Sequence, residues 1–253
     1  MDQHASSFGS AAAAYAEHRP DYARAAVEWA LELAPGSRVL DLGAGTGKLT
    51  AVLASLGVDV TAVEPDPAML GELALPGVRA LSGSAEAIPL PDSSVDAVLA
   101  GNAMHWFDMA VAGPEIARVL APGGVVAGLW NTVDDRVSWV AGLARVSGAA
   151  AIGPRDTPAS WHREAAGLAI PRDLFDSLER AEFPHSQRRT ADSLVATLGT
   201  RAGMLVMDDE QRQAALSRIR TFLATTPETA DGEFTLPLQT CVLRYRCSAI
   251  NPR

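Results

Sequence analysis

Val39-Leu40-Asp41-Leu42-Gly43-Ala44-Gly45-Thr46-Gly47-Lys48-Leu49 is the stretch that decides the fold. A short apolar run carries a single acid, breaks at three glycines spaced two apart, and resumes with Leu49, Val52, Leu53 and Leu56 at helical intervals. An apolar run of this length ended by glycine reads as a buried strand, and the spacing after it reads as a helix. The segment therefore predicts strand, tight turn, helix. In open α/β sheets, ligands sit outside such carboxyl strand ends.

The same unit repeats outward from this corner. Val58 to Val63 runs into Glu64-Pro65, Val78 to Ser82 into Gly83-Ser84, and Val95 to Ala100 into Gly101-Asn102; a fifth run covers Val125 to Trp130. Alternating strands and helices argue for a parallel sheet covered on both faces. The pattern changes after Trp130. Gly153-Pro154 and Thr157-Pro158 interrupt a mixed segment, Ala191 to Thr226 is mainly helical with an Asp208-Asp209-Glu210 break able to cap a last helix, and Thr240 to Cys247 reads as a strand. The expected architecture is a Rossmann-like, mostly parallel seven-stranded sheet with helices on both faces and a helical insertion or cap after the fifth strand. The expected division is an N-terminal helical lid (1–36), a cofactor-binding core (37–130), a helical substrate cap with a core strand near 182–189 (131–230), and a strand returning to the core sheet (231–253).

Composition bounds the function. Of 253 residues, 48% are apolar and 20% charged, ordinary values for a soluble globular chain. No apolar stretch approaches the ~20 residues that span a bilayer. The N-terminus has no basic start followed by an apolar core, which argues against a secretory signal and makes cytoplasmic the expectation. A net charge of −9 argues against a nucleic-acid partner. Cys241 and Cys247 match no zinc spacing, so no metal is expected, and they read as small packing residues. The arginines of Gln187-Arg188-Arg189 and Arg218-Ile219-Arg220 read as solvated faces.

Three nucleotide sites could use the glycine corner. A phosphate loop needs glycine at position 42 and a hydroxyl residue after Lys48, where this chain has Leu42 and Leu49. A dinucleotide fingerprint needs Gly-x-Gly-x-x-Gly, whereas Gly43-Ala44-Gly45-Thr46-Gly47 closes one residue early. Asp41 would also repel a pyrophosphate, while it would attract an ammonium group. Glu64, ending the second strand, suits a ribose diol. The combination fits S-adenosylmethionine, which carries both a sulfonium and an ammonium. A nicotinamide-dependent oxidoreductase shares the fold and fits less well, and a protein that binds the cofactor without methylating is a further alternative.

With these residues in place the chain resembles the class I methyltransferases, particularly the small-molecule, trans-aconitate methyltransferase-like group. The resemblance runs through Tyr15 to Tyr22, the glycine corner, Glu64-Pro65-Asp66, Ser84-Ala85-Glu86 to Pro89-Leu90-Pro91, Asn102 to Trp106, and Arg118 to Gly124. It implies Asp41 and the backbone of Gly43, Ala44 and Gly45 at the amino-acid end of the cofactor. It implies Glu64, with Pro65 beside it, on the ribose, Ser84 and Ala85 at the adenine, and Asn102 at the end of the fourth strand. Many relatives have Asp where this chain has Ser84. Tyr15 and Arg19 would form a lid over the cofactor, Arg19 facing its carboxylate; alternatively Pro20 simply starts a helix and Arg19 is solvated.

Little catalytic machinery is required. A sulfonium methyl is already electrophilic, so alignment of the partners contributes most, and a base matters only for a protonated acceptor. His105, in Asn102-Ala103-Met104-His105-Trp106-Phe107, is the candidate catalytic residue, with an ordinary pKa of about 6.5 that suits proton removal. It could equally order its loop or hydrogen-bond the acceptor. The partner expected is a small-molecule methyl acceptor, with walls drawn from Trp130, Trp139, Trp161 and the helices after Ala191. Asp108 can cap the next helix, which Gly113-Pro114 should interrupt.

Overall fold

The structure, a computed structural model, describes residues 20–153, 156–158, 161 and 170–247. Strands β1 (Arg38–Leu42), β2 (Asp59–Glu64), β3 (Arg79–Ser82), β4 (Val95–Gly101) and β5 (Leu120–Val133) alternate with helices α2 (Lys48–Ser55), α3 (Pro67–Glu72) and α4 (Met109–Val119), and α1 (Arg24–Leu31) precedes them. Then follow α5 (Ser138–Ala151), β6 (Phe175–Thr190), α6 (Ala191–Gly199), α7 (Ala202–Leu205), α8 (Asp209–Thr225) and β7 (Glu233–Cys247). The strands form one seven-stranded sheet in the order β3-β2-β1-β4-β5-β7-β6. β1 pairs in parallel with both β2 and β4, β2 with β3, and β4 with β5. β7 runs against β5: Thr132 Oγ1 donates to the Gln239 carbonyl and Asp134 N–H to that of Pro237, so partner numbers fall as β5 advances. The expected Rossmann-like sheet is thus observed.

The chain forms two compact units. One holds residues 21–130, 170–183 and 240–247, the other residue 20, residues 131–153 and 184–239, and the described residues between 156 and 161. β5, β6 and β7 contribute residues to both. In the first unit, alternate residues of β4 (Ala97, Leu99) and β5 (Val125, Ala127, Leu129) share a core with Ala26 and Val27 of α1 and Leu53 of α2. Arg244 of β7, nearly buried, stacks 3.9 Å from the Trp29 ring and pairs with Glu179 at 2.6 Å, which ties α1, β6 and β7 together. In the second unit, Trp139, Val140 and Leu143 of α5, Leu194 and Leu198 of α6, and Ile219 and Leu223 of α8 pack with Phe234, Leu236 and Leu238 on one side of β7. Among the described residues no helix is long and apolar enough to cross a membrane.

Several local expectations need correction. α4 runs unbroken through Pro114, capped by Asp108, whose carboxylate accepts from Ala110 N–H at 3.1 Å. Gly113 makes room there: a Cβ at that position would lie 2.7 Å from Pro171 Cγ, so the helix packs closely where the proline removes a hydrogen bond. Arg189 is buried, its guanidinium donating to the Ser193 carbonyl and the Thr197 hydroxyl, so it is no solvated face. Trp139 is a core residue, edge-on to Phe234 with centroids 5.8 Å apart, and Trp161 is buried. Cys241 and Cys247 are free thiols.

Candidate active site

The glycine corner is built by backbone freedom. Gly43, Gly45 and Gly47 have φ of +72°, +57° and +87°, a region costly for residues with a side chain. Gly43 is doubly constrained, because a Cβ there would lie 2.7 Å from Ala103 Cβ in the segment after β4. The amide protons of Gly43, Ala44 and Gly45 are already engaged. Gly43 and Ala44 N–H both donate to the Val63 carbonyl (2.9 and 3.1 Å), and Gly45 N–H donates to Glu64 Oε2 (2.8 Å). A pyrophosphate site of the dinucleotide type needs such donors turned toward the ligand. Here they face the end of β2, and the acids and carbonyls that remain suit a cation.

Two carboxyl groups lie under this turn. Asp41 is fully buried, with Oδ2 accepting from Thr50 Oγ1 at 2.6 Å. Burial pushes its pKa up to about 7, aided by the nearby Glu64 charge and against the opposing hydrogen bond from Thr50. Glu64 is shifted the same way by burial, partly offset because its carboxylate accepts from Asp66 N–H (2.9 Å) and Gly45 N–H. Asp41 Oδ1 and Thr46 Oγ1 have no hydrogen-bond partner among the described residues. Buried polar atoms without partners are uncommon and mark places that a ligand or an ion completes. Two buried acids, an orphaned carboxyl oxygen and an orphaned hydroxyl beside a glycine turn form a polar cradle, which fits S-adenosylmethionine.

The third corner follows β3. Gly83 permits a tight return, since a Cβ there would lie 2.7 Å from Pro89 Cδ. Ser84 is half-buried, Ala85 buried, and Ser84 bridges to Ala87. Arg118 of α4 holds the rest of the loop: its guanidinium donates to the carbonyls of Ile88 (3.0 Å) and Leu90 (2.8 Å) and to Glu115 and Asp92. Glu86 accepts from Asp108 N–H at 3.0 Å, joining this loop to the start of α4. Pro65 is exposed beside Glu64, and Asp66 caps α3 through Ala68 and Met69 N–H.

At the end of β4, Asn102 takes φ of +51°, which Asn tolerates better than most residues, and its N–H donates to the Leu129 carbonyl at 2.7 Å. His105 sits in a 3-10 turn over Met104–Trp106, and its Nδ1 accepts from the Trp130 indole Nε1–H at 3.2 Å. Tyr22 packs so closely on the strand end that a Cβ on Gly101 would meet its hydroxyl at 2.6 Å. Lys48, at the start of α2, pairs with Asp21 at 3.2 Å. Tyr15 and Arg19 lie outside the described residues.

The structure thus collects Asp41, Gly43, Ala44, Gly45 and Glu64 at adjoining strand ends, with Ser84, Ala85, Asn102 and His105 on the next turns of the same unit. Sequence reasoning missed Thr50 as the partner of Asp41, the orphaned Thr46 hydroxyl, and the bond between Trp130 and His105. Only Thr46 carried a local signal, lying inside the glycine turn. Thr50 and Trp130 act through register across elements, which a single sequence does not reveal.

Comparison with known proteins agrees with this geometry. A methyltransferase domain model matches residues 40–128, from the middle of β1 to β5. An uncharacterised methyltransferase of Mycobacterium tuberculosis is 43% identical over 241 residues, covering 94% of each chain. An uncharacterised methyltransferase-like protein of Schizosaccharomyces pombe is 33% identical over 232 residues, covering 89% of each. A solved structure from Anaeromyxobacter dehalogenans, provisionally described as a type II methyltransferase, superposes with a TM-score of 0.67 at 29% identity, covering 92% of this chain and 99% of that one. On this likeness, and on a glycine turn whose Gly43, Ala44 and Gly45 amides are engaged within the fold beside two buried acids, the chain belongs to the class I S-adenosylmethionine-dependent methyltransferases.

Proposed function

We propose that the enzyme methylates an oxygen or nitrogen of a small-molecule acceptor, carboxylates included, as the trans-aconitate methyltransferase-like group does. The observation that carries a small acceptor over a polyanion is the charge distribution. The net charge is −9, and Arg24, Arg38, Arg118, Arg136, Arg188, Arg201, Arg212 and Arg244 are each paired with a carboxylate. A net negative chain with these arginines already paired is poorly suited to tracking phosphates.

In this reading the Gly43, Ala44 and Gly45 turn and Asp41 receive the amino-acid end of the cofactor. Asp41 offers its Oδ1, unpartnered among the described residues, to the ammonium. Glu64, with Pro65 shaping the turn, accepts from the ribose hydroxyls on lone pairs left beside its two backbone donors. Ser84 and Ala85 border the adenine, Asn102 and His105 border the transferred methyl, and Tyr15 and Arg19 cover the cofactor. S-adenosylmethionine supplies an electrophilic methyl group and a neutral leaving group. The protein's task is to align the acceptor and exclude water.

Replacing Glu64 with Ala is expected to weaken S-adenosylhomocysteine binding by about 1–3 kcal/mol, read by calorimetry; unchanged affinity would remove the ribose role. The acceptor itself is tested by mass spectrometry. Purified enzyme and S-adenosylmethionine are offered panels of small carboxylates, amines and phenols beside protein and RNA, and a 14-dalton gain is sought. Methylation confined to the macromolecules would overturn the small-molecule assignment.

A further inference from the structure

The Trp130–His105 bond has a chemical consequence, because an indole N–H can only donate. His105 Nδ1, which receives it at 3.2 Å, must therefore present a lone pair. A neutral imidazole holding a lone pair at Nδ1 carries its proton on Nε2. Accepting a further proton at Nδ1 would set two N–H groups against each other, and Nε2 is already occupied. A ring held in this way offers a hydrogen bond; it does not remove a proton.

The holding side chain is itself fixed. Trp130 is 2% exposed on β5, and its ring folds back over Gly128, two residues earlier on the same face. A Cβ on Gly128 would collide with Trp130 Cη2 and lie 3.1 Å from the sulfur of Met104, which is fully buried. Gly128 thus leaves space for the indole, and Met104, preceding His105, borders the same space. His105 also packs against Trp106, with ring centroids 4.8 Å apart, while remaining half-exposed. Backbone and packing together settle which edge of the imidazole meets Trp130.

We propose that Trp130 is a positioning residue that holds His105 as an Nε2–H donor, and that His105 serves methyl transfer by hydrogen-bonding the acceptor rather than by deprotonating it. The inference rests on the reading above that His105 borders the transferred methyl. An acceptor lone pair forms the new bond to the methyl carbon, the carbon–sulfur bonding pair stays on sulfur, and the sulfonium leaves as a neutral thioether. No proton passes to His105. The acceptor that meets this description is an anion such as a carboxylate, one oxygen attacking while the other accepts from Nε2–H.

Nitrogen NMR on protein with 15N-labelled histidine, its His105 signals assigned with His105→Gln, reads the tautomer directly at pH 8. The Nε2–H form should dominate in wild type. Trp130→Phe, which keeps an aromatic ring but removes the donor, should shift the tautomer ratio about tenfold toward Nδ1–H. A wild-type ring protonated on Nδ1, or a ratio unmoved by Trp130→Phe, would overturn the proposal. The donor role is read with the small acceptor methylated fastest in the panel. His105→Gln, which keeps an N–H near the Nε2 position, should retain turnover within about tenfold of wild type, and His105→Asn, which mimics only the Nδ1 edge, should not. Gln no better than Asn would overturn the donor role. Full turnover in both variants would instead show that His105 does not border the methyl, while the tautomer result stood.

Discussion

Asp41→Asn is expected to make the cofactor-free protein more stable at pH 8 and less stable at pH 4, with the two stability curves crossing between. The Asp41 pKa rises from 3.8 to about 7 in the fold because burial disfavours its charge. A carboxyl shifted upward keeps its proton in the native state after the unfolded chain has lost it. Its contribution is therefore whole below the unfolded value and declines as pH climbs toward 7, and above 7 the fold carries a buried charge costing about 4 kcal/mol. Asn escapes that cost but leaves an amide donor facing the side where Oδ1 has no partner, a penalty of about 1–3 kcal/mol. The net gain at pH 8 should be on the order of 2 kcal/mol, measured by urea unfolding of both proteins across pH. Asp96 and Glu115 are shifted oppositely and act alike in both proteins, whereas Glu64 is shifted in the same direction and interacts with Asp41, so the difference reads position 41 together with its coupling to Glu64. The same variant should bind S-adenosylmethionine more weakly by about 2 kcal/mol at pH 8, since the ammonium loses a charge in a medium of low dielectric. In wild type the bound cation favours ionised Asp41, so binding near pH 6.5 should release a proton. Calorimetry in buffers of different ionisation enthalpy reads that release. Identical pH curves for the two proteins would remove the buried-charge argument.

Gly43→Ala should be the most damaging single-methyl change in the site. It meets two separate penalties: a φ of +72°, which disfavours any Cβ, and a 2.7 Å approach to Ala103 Cβ, which neither backbone can easily relieve. Together they predict a loss of about 2–4 kcal/mol in unfolding free energy. Cofactor binding should fall with it, because displacing the turn breaks the paired donations to the Val63 carbonyl. Gly45→Ala is the internal control. Its φ of +57° carries the same kind of strain, but its Cβ would meet nothing nearer than the Met69 sulfur at 3.8 Å. A cost of about 1 kcal/mol is expected there. Equal losses at the two positions, by thermal or urea unfolding, would show that contact with Ala103 contributes nothing.

The amino-terminal half was readable because its strands are short, apolar and ended by turn residues, as buried parallel strands are. The glycine corner, Glu64 and the turn after β4 fell where the pattern placed them. The carboxyl half was harder for a physical reason. β6 begins at Phe175, well before the strand expected near 182–189, and passes through Glu179, Arg180, Glu182 and Pro184. It is the edge strand of the sheet, where charges and proline are tolerated, so its sequence carries no strand signature. β7 likewise starts at Glu233 and contains Pro237, whose carbonyl still accepts from Asp134 although it has no N–H to give. β5 continues past Trp130 to Val133 through Asn131 and Thr132, polar residues that are nonetheless buried. In the site, the residue types were legible and their partners were not. Asp41 announced a charge beside a turn, but its depth, and hence its raised pKa, depends on the packing of α2.

Glu64 grips two loops at once, one oxygen on the Gly45 amide and the other on that of Asp66. On the proposed arrangement, one loop faces the amino-acid half of the cofactor and the other the sugar. Occupancy of either half then steadies the shared carboxylate for its neighbour. Adenosine and methionine, offered as separate fragments, should each improve the other's affinity, and by an equal factor, because such linkage is reciprocal.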